Sequence, residues 1–331
     1  MSQQSPGSKI LRRFGRFLFF LFLLVNFILA CHAWKFTHFY DEAELRQPPK
    51  TGFLATAKFI LMGNKVPKRL NDSVVSAPHI TVNLTSSDGL KLEAWQIPCK
   101  GFWTDTLAPL RSTLNYDHKG TVIMFHGHGS CKAAILPEAY AFLKMGYNVF
   151  TIDFRAHGNS EGEQSLVGMK ETADVKAAYD WVVKSGEKNI VLFGVSMGAA
   201  TVAKAINDMD LQPKKVILEM PFATLVDAAK GKLRIMGLPP FLAPGLAFWG
   251  GTLNGKWAFG FKPYEFVESI KCPVLLQWGR KDPRVTQQET ELVFDHLKTD
   301  KKLVIYESAA HESLLTAEPA KWMDNVGQFL N

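Results

Sequence analysis

From residue 79 onward, short apolar runs alternate with segments whose apolar residues recur at helical spacing. Residues 79–84 and 90–95 read as two strands, with Asp88-Gly89 between them as a hairpin turn. Further strands are predicted at 121–125, 148–153, 190–194, 215–219, 273–278 and 302–306. Helices are predicted between them at 137–145, 170–183, after Ser196, near 286–298, and from Glu318 onward. This alternation implies an α/β fold with a mostly parallel central sheet, helices on both faces and an antiparallel hairpin at the N-terminal edge. We assign 79–331 to this domain. Residues 221–271 break the rhythm with apolar residues such as Phe241, Leu246, Phe248 and Trp249 among prolines and glycines. They read equally well as core helices and as a cap whose apolar face lines an acyl pocket.

Two segments precede the domain. Residues 35–78 form a connecting region without strong periodicity, broken by Pro48-Pro49, in which 53–63 has the character of a short helix. Residues 1–34 carry Lys9, Arg12, Arg13 and Arg16 ahead of an apolar run from Phe17 to Trp34, roughly 18 residues and the lower edge of a membrane span. An uncleaved signal anchor is the leading reading; cleavage after Ala33 and a lipobox ending at Cys31 are the alternatives. The cationic flank stays cytoplasmic, which places the catalytic domain on the non-cytoplasmic side. Asn71-Asp72-Ser73 and Asn83-Leu84-Thr85 are sequons for a eukaryotic secretory pathway.

Charge adds little. The net +7 is partly that N-terminal cluster, and no basic stripe interleaves with aromatics, so no nucleic-acid partner is expected. The four cysteines lack CxxC spacing; Cys99 and Cys131 would pair only if the domain is exported and their distance allows.

Candidate chemistry centres on Gly194-Val195-Ser196-Met197-Gly198, a serine between small residues where a strand gives way to an alanine-rich helix. That is the nucleophile-elbow pattern, in which an acid and then a histidine must follow along the chain. Asp282 lies just past the strand at 273–278, and His311 just past the strand at 302–306. Asp282 could instead cap the next helix, and Glu219 is the runner-up acid. The loop His126-Gly127-His128-Gly129 follows the strand at 121–125; its glycines let a backbone amide face a developing oxyanion, and the expected donors are the amides of His128 and Met197. The paired histidines lack a third ligand at suitable spacing, so no metal is expected.

His126-Gly127-His128-Gly129-Ser130-Cys131-Lys132, Asp153-Phe154-Arg155-Ala156-His157-Gly158-Asn159-Ser160-Glu161-Gly162 and Gly168-Met169-Lys170-Glu171-Thr172-Ala173-Asp174, followed by the elbow, resemble the α/β-hydrolases of the serine aminopeptidase-like branch. The resemblance covers roughly 79–331. It implies that Arg155 and His157 support loop packing, and that Ala156 stands where the family usually has glycine. The branch includes esterases, lysophospholipases, thioesterases and peptidases, so it does not choose a substrate. The expectation is a serine hydrolase of a carboxylic ester, a lipid or acyl ester among the candidates, needing no cofactor. A serine peptidase is the alternative, and a non-catalytic binding protein on the same fold is the third reading.

Overall fold

The computed structural model describes residues 6–40, 52, 61–63, 66–69, 75, 79–99 and 118–331. Most of the expected short helix over 53–63, Pro48-Pro49 and the sequon at Asn71 lie outside these residues. The chain enters through helix α1 (Pro6–Thr37), followed by β1 (Phe39–Tyr40), which pairs in parallel with β2 (Val66–Pro67). The region expected to be only a connector therefore carries a small ordered pair, and Phe39 is buried.

The main sheet has eight strands. They are β3 (Ile80–Thr85), β4 (Lys91–Ile97), β5 (Thr121–Phe125), β6 (Asn148–Ile152), β7 (Ile190–Val195), β8 (Lys215–Glu219), β9 (Val274–Gly279) and β10 (Lys301–Tyr306), in the spatial order β10-β9-β8-β7-β5-β6-β4-β3. Every neighbouring pair is parallel except those made by β4, which runs against both β6 and β3. All residues of β5 and β6 are buried, because helices cover both faces; this explains why these strands read as unbroken apolar runs. β3, at the edge, keeps its exposed positions at every second residue.

The covering helices are α2 (Leu136–Lys144), α3 (Thr172–Lys184) and α4 (Met197–Met209), then α5 (Leu225–Ile235) and α6 (Ala243–Thr252) of the 221–271 segment. Two short helical pieces, α7 (Pro263–Phe266) and α9 (Leu314–Ala317), flank α8 (Gln287–His296), and α10 (Pro319–Leu330) closes the chain. The residues of 221–271 divide between the core and a cavity wall. Phe222, Phe261, Val267 and Ile270 join the core, whereas Ala228, Lys232 and Ile235 of α5 line the cavity beside Ser196.

The strand order reverses around β5: the chain steps to β6 on one side and then to β7 on the other. Crevices form at the carboxyl ends of strands at such a reversal. The register places Phe125, the last residue of β5, level with Gly194 of β7, so the loops leaving both strands meet there.

The loop after β6 is fixed by charge. The Arg155 guanidinium forks onto Asp174 of α3, with Nη2–Oδ1 at 2.6 Å and Nε–Oδ1 at 3.0 Å, and onto Asp88 of the hairpin turn at 2.6 Å. Arg155 and Asp174 are both buried, and the guanidinium beside Asp88 holds that carboxyl down at about 2. Arg155 thus has the packing role that the family resemblance implies. Ala156, in the place of the usual glycine, adopts φ +61°, a left-handed conformation costing a side-chain-bearing residue about 1 kcal/mol. Removing one partner of a buried pair strands the other charge. Asp174→Asn is therefore expected to destabilise the fold by about 3 kcal/mol in chemical denaturation; a loss below about 1 kcal/mol would show that Asp88 alone suffices to neutralise the arginine.

Candidate active site

The β7–α4 junction builds the nucleophile position. Ser196 has φ +54° and ψ −115°, a strained conformation outside the helical and extended regions. Its amide donates to the Glu219 carbonyl at 2.7 Å, and its carbonyl accepts from Ala200 at 3.0 Å, so neighbouring strand and helix hold the strain in place. The flanking glycines are required by close approach. A Cβ on Gly194 would lie 2.6 Å from the Ala199 nitrogen, and one on Gly198 would lie 2.2 Å from the Phe125 carbonyl oxygen.

Asp282 sits in the turn after β9 with its side chain fully buried. Its Oδ1 accepts from the amides of Arg284 at 2.7 Å and Val285 at 3.0 Å, which leaves Oδ2 aimed at His311 Nδ1, 2.7 Å away. The turns after β9 and β10 are tied by the Lys281 amide donating to the Ala309 carbonyl at 2.9 Å. His311 Nε2 then lies 3.0 Å from Ser196 Oγ. Because Asp282 can only accept when ionised, Nδ1 carries the imidazole proton and Nε2 is left to accept from the serine hydroxyl.

Two sequence alternatives are corrected. Asp282 does not cap the following helix; Thr286 does, in a capping box with Glu289. Glu219 is not the acid that meets the histidine. It is fully buried, with one carboxyl oxygen bound by Trp322 Nε1 at 2.7 Å and Gln277 Nε2 at 3.0 Å. Burial, reinforced by the nearby Glu138, pushes its carboxyl well above the usual range and keeps it protonated. Glu138 is likewise buried and pushed up, although the Ser313 hydroxyl donates to it.

His128 and Met197, whose amides are expected to serve an oxyanion, line the same cavity as Ser196. Met197 opens α4, so its N–H has no carbonyl partner within the helix. In the loop after β5, the Gly129 amide donates to His157 Nε2 at 3.0 Å and the Ser130 amide to the Gly127 carbonyl at 3.2 Å.

The side chains of this loop are packed rather than reactive. His126 is wholly buried; its Nε2 accepts from the Phe154 amide at 3.1 Å, and its Nδ1 donates to the Gly127 carbonyl at 2.7 Å. Burial lowers its pKa to about 3, with His157 adding to the shift. His128 lies against the rings of Phe36 and Phe39, with centroids 4.4 and 5.2 Å away, and burial also holds it neutral. Lys132 anchors the loop from beneath. Its ammonium contacts Asp153 and, at 2.7 Å, Glu93, over the face of Trp95. Phe36, Phe39 and Glu138 were not singled out from the sequence. Phe36 and Phe39 come from a stretch whose pattern gives no hint of the active site, and Glu138 reads as an ordinary first-turn helix acid.

Ser196 and His311 open into a cavity of about 480 Å³. Val167, Phe222 and Ile235 supply apolar walls, and the lining also carries the basic Arg69, Lys232 and Arg284 and the acidic Glu138, Glu219 and Glu312. Burial and the neighbouring Arg284 lower the Lys232 ammonium pKa.

The fold is that of an α/β-hydrolase. Residues 116–258 match the family described as "Serine aminopeptidase, S33", so the chain is similar to the serine aminopeptidase-like α/β-hydrolases over that stretch. It is 26% identical over 251 residues to the lysophosphatidylserine lipase ABHD12 of Danio rerio, a match covering 71% of this chain and 63% of that protein. Escherichia coli YfhR, an uncharacterized protein, is 25% identical over 236 residues, covering 70% of this chain and 72% of its own. The esterase Pf2001 of Pyrococcus furiosus superposes with a TM-score of 0.64 at 26% identity, covering 80% of this chain and 96% of that one. The chain thus spans less than two thirds of that lipase's length and nearly all of the esterase's, and its likeness is to an esterase and a lipase.

The buried neutral histidines have a consequence for stability. A His126 pKa of about 3 in the fold against about 6.5 unfolded means the unfolded chain binds more protons between those values. The stabilisation is complete above about pH 6.5 and is lost as pH falls toward 3. In thermal melts, the drop in Tm from pH 7 to pH 4.5 is expected to be smaller for His126→Gln than for the unaltered protein; equal drops would exclude this ring as a source.

Proposed function

We propose that this protein is a membrane-anchored serine hydrolase that cleaves a carboxylic ester, a lipid or acyl ester, through an acyl-enzyme on Ser196. The observation that carries the reading is the continuous hydrogen-bonded line from Asp282 through His311 to Ser196, at 2.7 and 3.0 Å. Ser196 Oγ attacks the ester carbonyl carbon while its proton passes to His311 Nε2. Asp282 keeps the imidazole in the required tautomer and stabilises the imidazolium. The carbonyl oxygen, now negative, accepts hydrogen bonds from the amides of His128 and Met197. On collapse of the tetrahedral species His311 gives its proton to the departing alkoxide oxygen, and the alcohol leaves. A water, deprotonated at Nε2, then attacks the acyl carbon; its proton returns to Ser196 Oγ as the carboxylic acid is released.

Relatives named as an esterase and as a lipase support ester over amide chemistry. The apolar walls suit an acyl chain, and the cations Arg69, Lys232 and Arg284 suit an anionic leaving group. Helix α1 contains 28 residues, Ile10–Thr37, long and apolar enough to cross a bilayer. Arg12, Arg13 and Arg16 on its leading side favour a cytoplasmic N-terminus and a non-cytoplasmic catalytic domain.

A fluorophosphonate probe is expected to label the full chain and to fail on Ser196→Ala, with ester turnover falling by at least about 10⁴-fold; equal labelling of both proteins would sink the mechanism. Substrate class is read by comparing an ester chain-length series with aminoacyl amides. The expected order has a medium or long acyl ester ahead of every amide, and faster amide turnover would make the protein a peptidase.

A further inference from the structure

The apolar run of α1 is not free along its length. Residues 17–24 are exposed on all sides, but from Val25 onward the helix docks on the 221–271 segment, with Leu29, Ala33 and Thr37 buried. The partner is α6. Trp249 Nε1 donates to Asn26 Oδ1 at 3.0 Å, and Asn26 Nδ2 returns to its own helix through the Phe22 carbonyl at 2.9 Å. Small residues bring the helices together: a Cβ on Gly245 would lie 2.7 Å from Leu29 Cδ1, and one on Gly250 would lie 3.9 Å from Ala33 Cβ. Close approach at glycine and alanine, with a polar side chain paired across the contact, is how helices associate within lipid.

Length then sets a constraint. At 1.5 Å per residue, the free residues 17–24 cover only about 12 Å. A hydrocarbon core is about 30 Å thick and needs about 20 residues. Arg16 precedes the free stretch, so the missing depth is found only in the docked half. The bilayer must therefore reach the level where α6 lies beside α1.

The cap is composed for that position. Between Arg234 and Lys256 lie 21 residues, 235–255, without one ionisable side chain. Phe241 is 78% exposed and Trp257 69%, and Ile235, Phe248 and Leu253 are also exposed on the outside of the fold. Large apolar side chains concentrated on one exposed segment, bracketed by cations, mark a lipid-facing surface.

We propose that the segment 235–257 is embedded in the non-cytoplasmic leaflet beside the C-terminal half of α1, so that the protein holds its membrane by a span and a monotopic cap together. Ile235 begins this segment and also lines the cavity at Ser196, and Phe36 of α1 lines the same cavity. The cavity mouth consequently lies at the leaflet surface, where an acyl ester arrives laterally from lipid. The inference rests on α1 spanning the membrane, and its test separates the two.

The full chain is reconstituted in nanodiscs of phosphatidylcholine and phosphatidylglycerol, with benzoylphenylalanine replacing Phe241, Trp257, Phe20 or Leu292 singly. After irradiation, mass spectrometry is expected to find phospholipid adducts at 241 and 257 as at 20, and none at 292 on α8. Adducts at 20 without adducts at 241 and 257 would overturn the embedded cap and leave the span standing. A cross-link from 241 or 257 to a second copy of the chain would identify the face as a dimer contact and likewise overturn it. Absence of lipid adducts at 20 would remove the span and the embedded cap together. None of these outcomes depends on the chain hydrolysing an ester.

Discussion

The packing of the first turn of α4 against the end of β5 is the constraint on which the rest of the site depends. Gly198 passes so close to the Phe125 carbonyl that no side chain fits between them, and Gly194 passes equally close to Ala199. Only that proximity lets the chain turn from strand to helix within one strained residue, Ser196. It also sets Met197 N–H at a free helix end and brings the loop after β5 over the serine, with Gly127 against its side chain. Had the helix been held farther from the sheet, His311 would not reach the serine hydroxyl. The strain at φ +54° is offset by the bond from Ser196 N–H to Glu219, so the backbone of a strand neighbour, not its carboxyl, is what β8 contributes to the serine.

The site contains many titratable groups, and burial sorts them. His126 and His157 are wholly buried and His128 partly so, and burial lowers all three imidazole pKa values, while the same cause raises the carboxyls of Glu138 and Glu219. The carboxyl of Asp282, though equally buried as a side chain, is met by two amides and an imidazole N–H, all donors to the ionised form. Donor count therefore distinguishes Glu219, the last residue of β8, from Asp282 in the turn after β9. The sequence cannot express that difference, because it resides in the turn 282–285 and in the approach of a loop from β10.

Much of the fold was nonetheless readable. The strands at β5, β7, β8 and β9 announce themselves as apolar runs ending in glycine or polar loops, and their order constrains where Ser196, Asp282 and His311 fall. Those three were legible because each sits immediately past a strand, where local pattern and chemistry coincide. Arg155 was readable only by family likeness; its partners Asp88 and Asp174 are 67 and 19 residues away. Phe36 and Phe39 were invisible because nothing in residues 35–40 signals that they wrap His128 more than 80 positions later. The connecting region was read as featureless for the same reason: a two-residue strand pair has no period.

Docking of α1 on the cap also changes what an anchor means in this protein. A tether attached through a flexible linker would leave the catalytic domain free to tumble above the bilayer. Here the helix continues unbroken to Thr37, places Phe36 against His128 and beneath Lys232, and hands the chain directly to β1. The long apolar helix is thus structurally part of the wall of the cavity at Ser196. Tilt or depth of α1 in the bilayer would be transmitted to the pocket wall through packed aromatic rings rather than through a linker. Removing residues 1–34 would expose the apolar faces of α6 that Asn26, Leu29 and Ala33 cover, and would leave Phe36 without the helix that positions it. On the proposed anchoring, α1 is for that reason better regarded as a folded element of the domain than as an address label ahead of it.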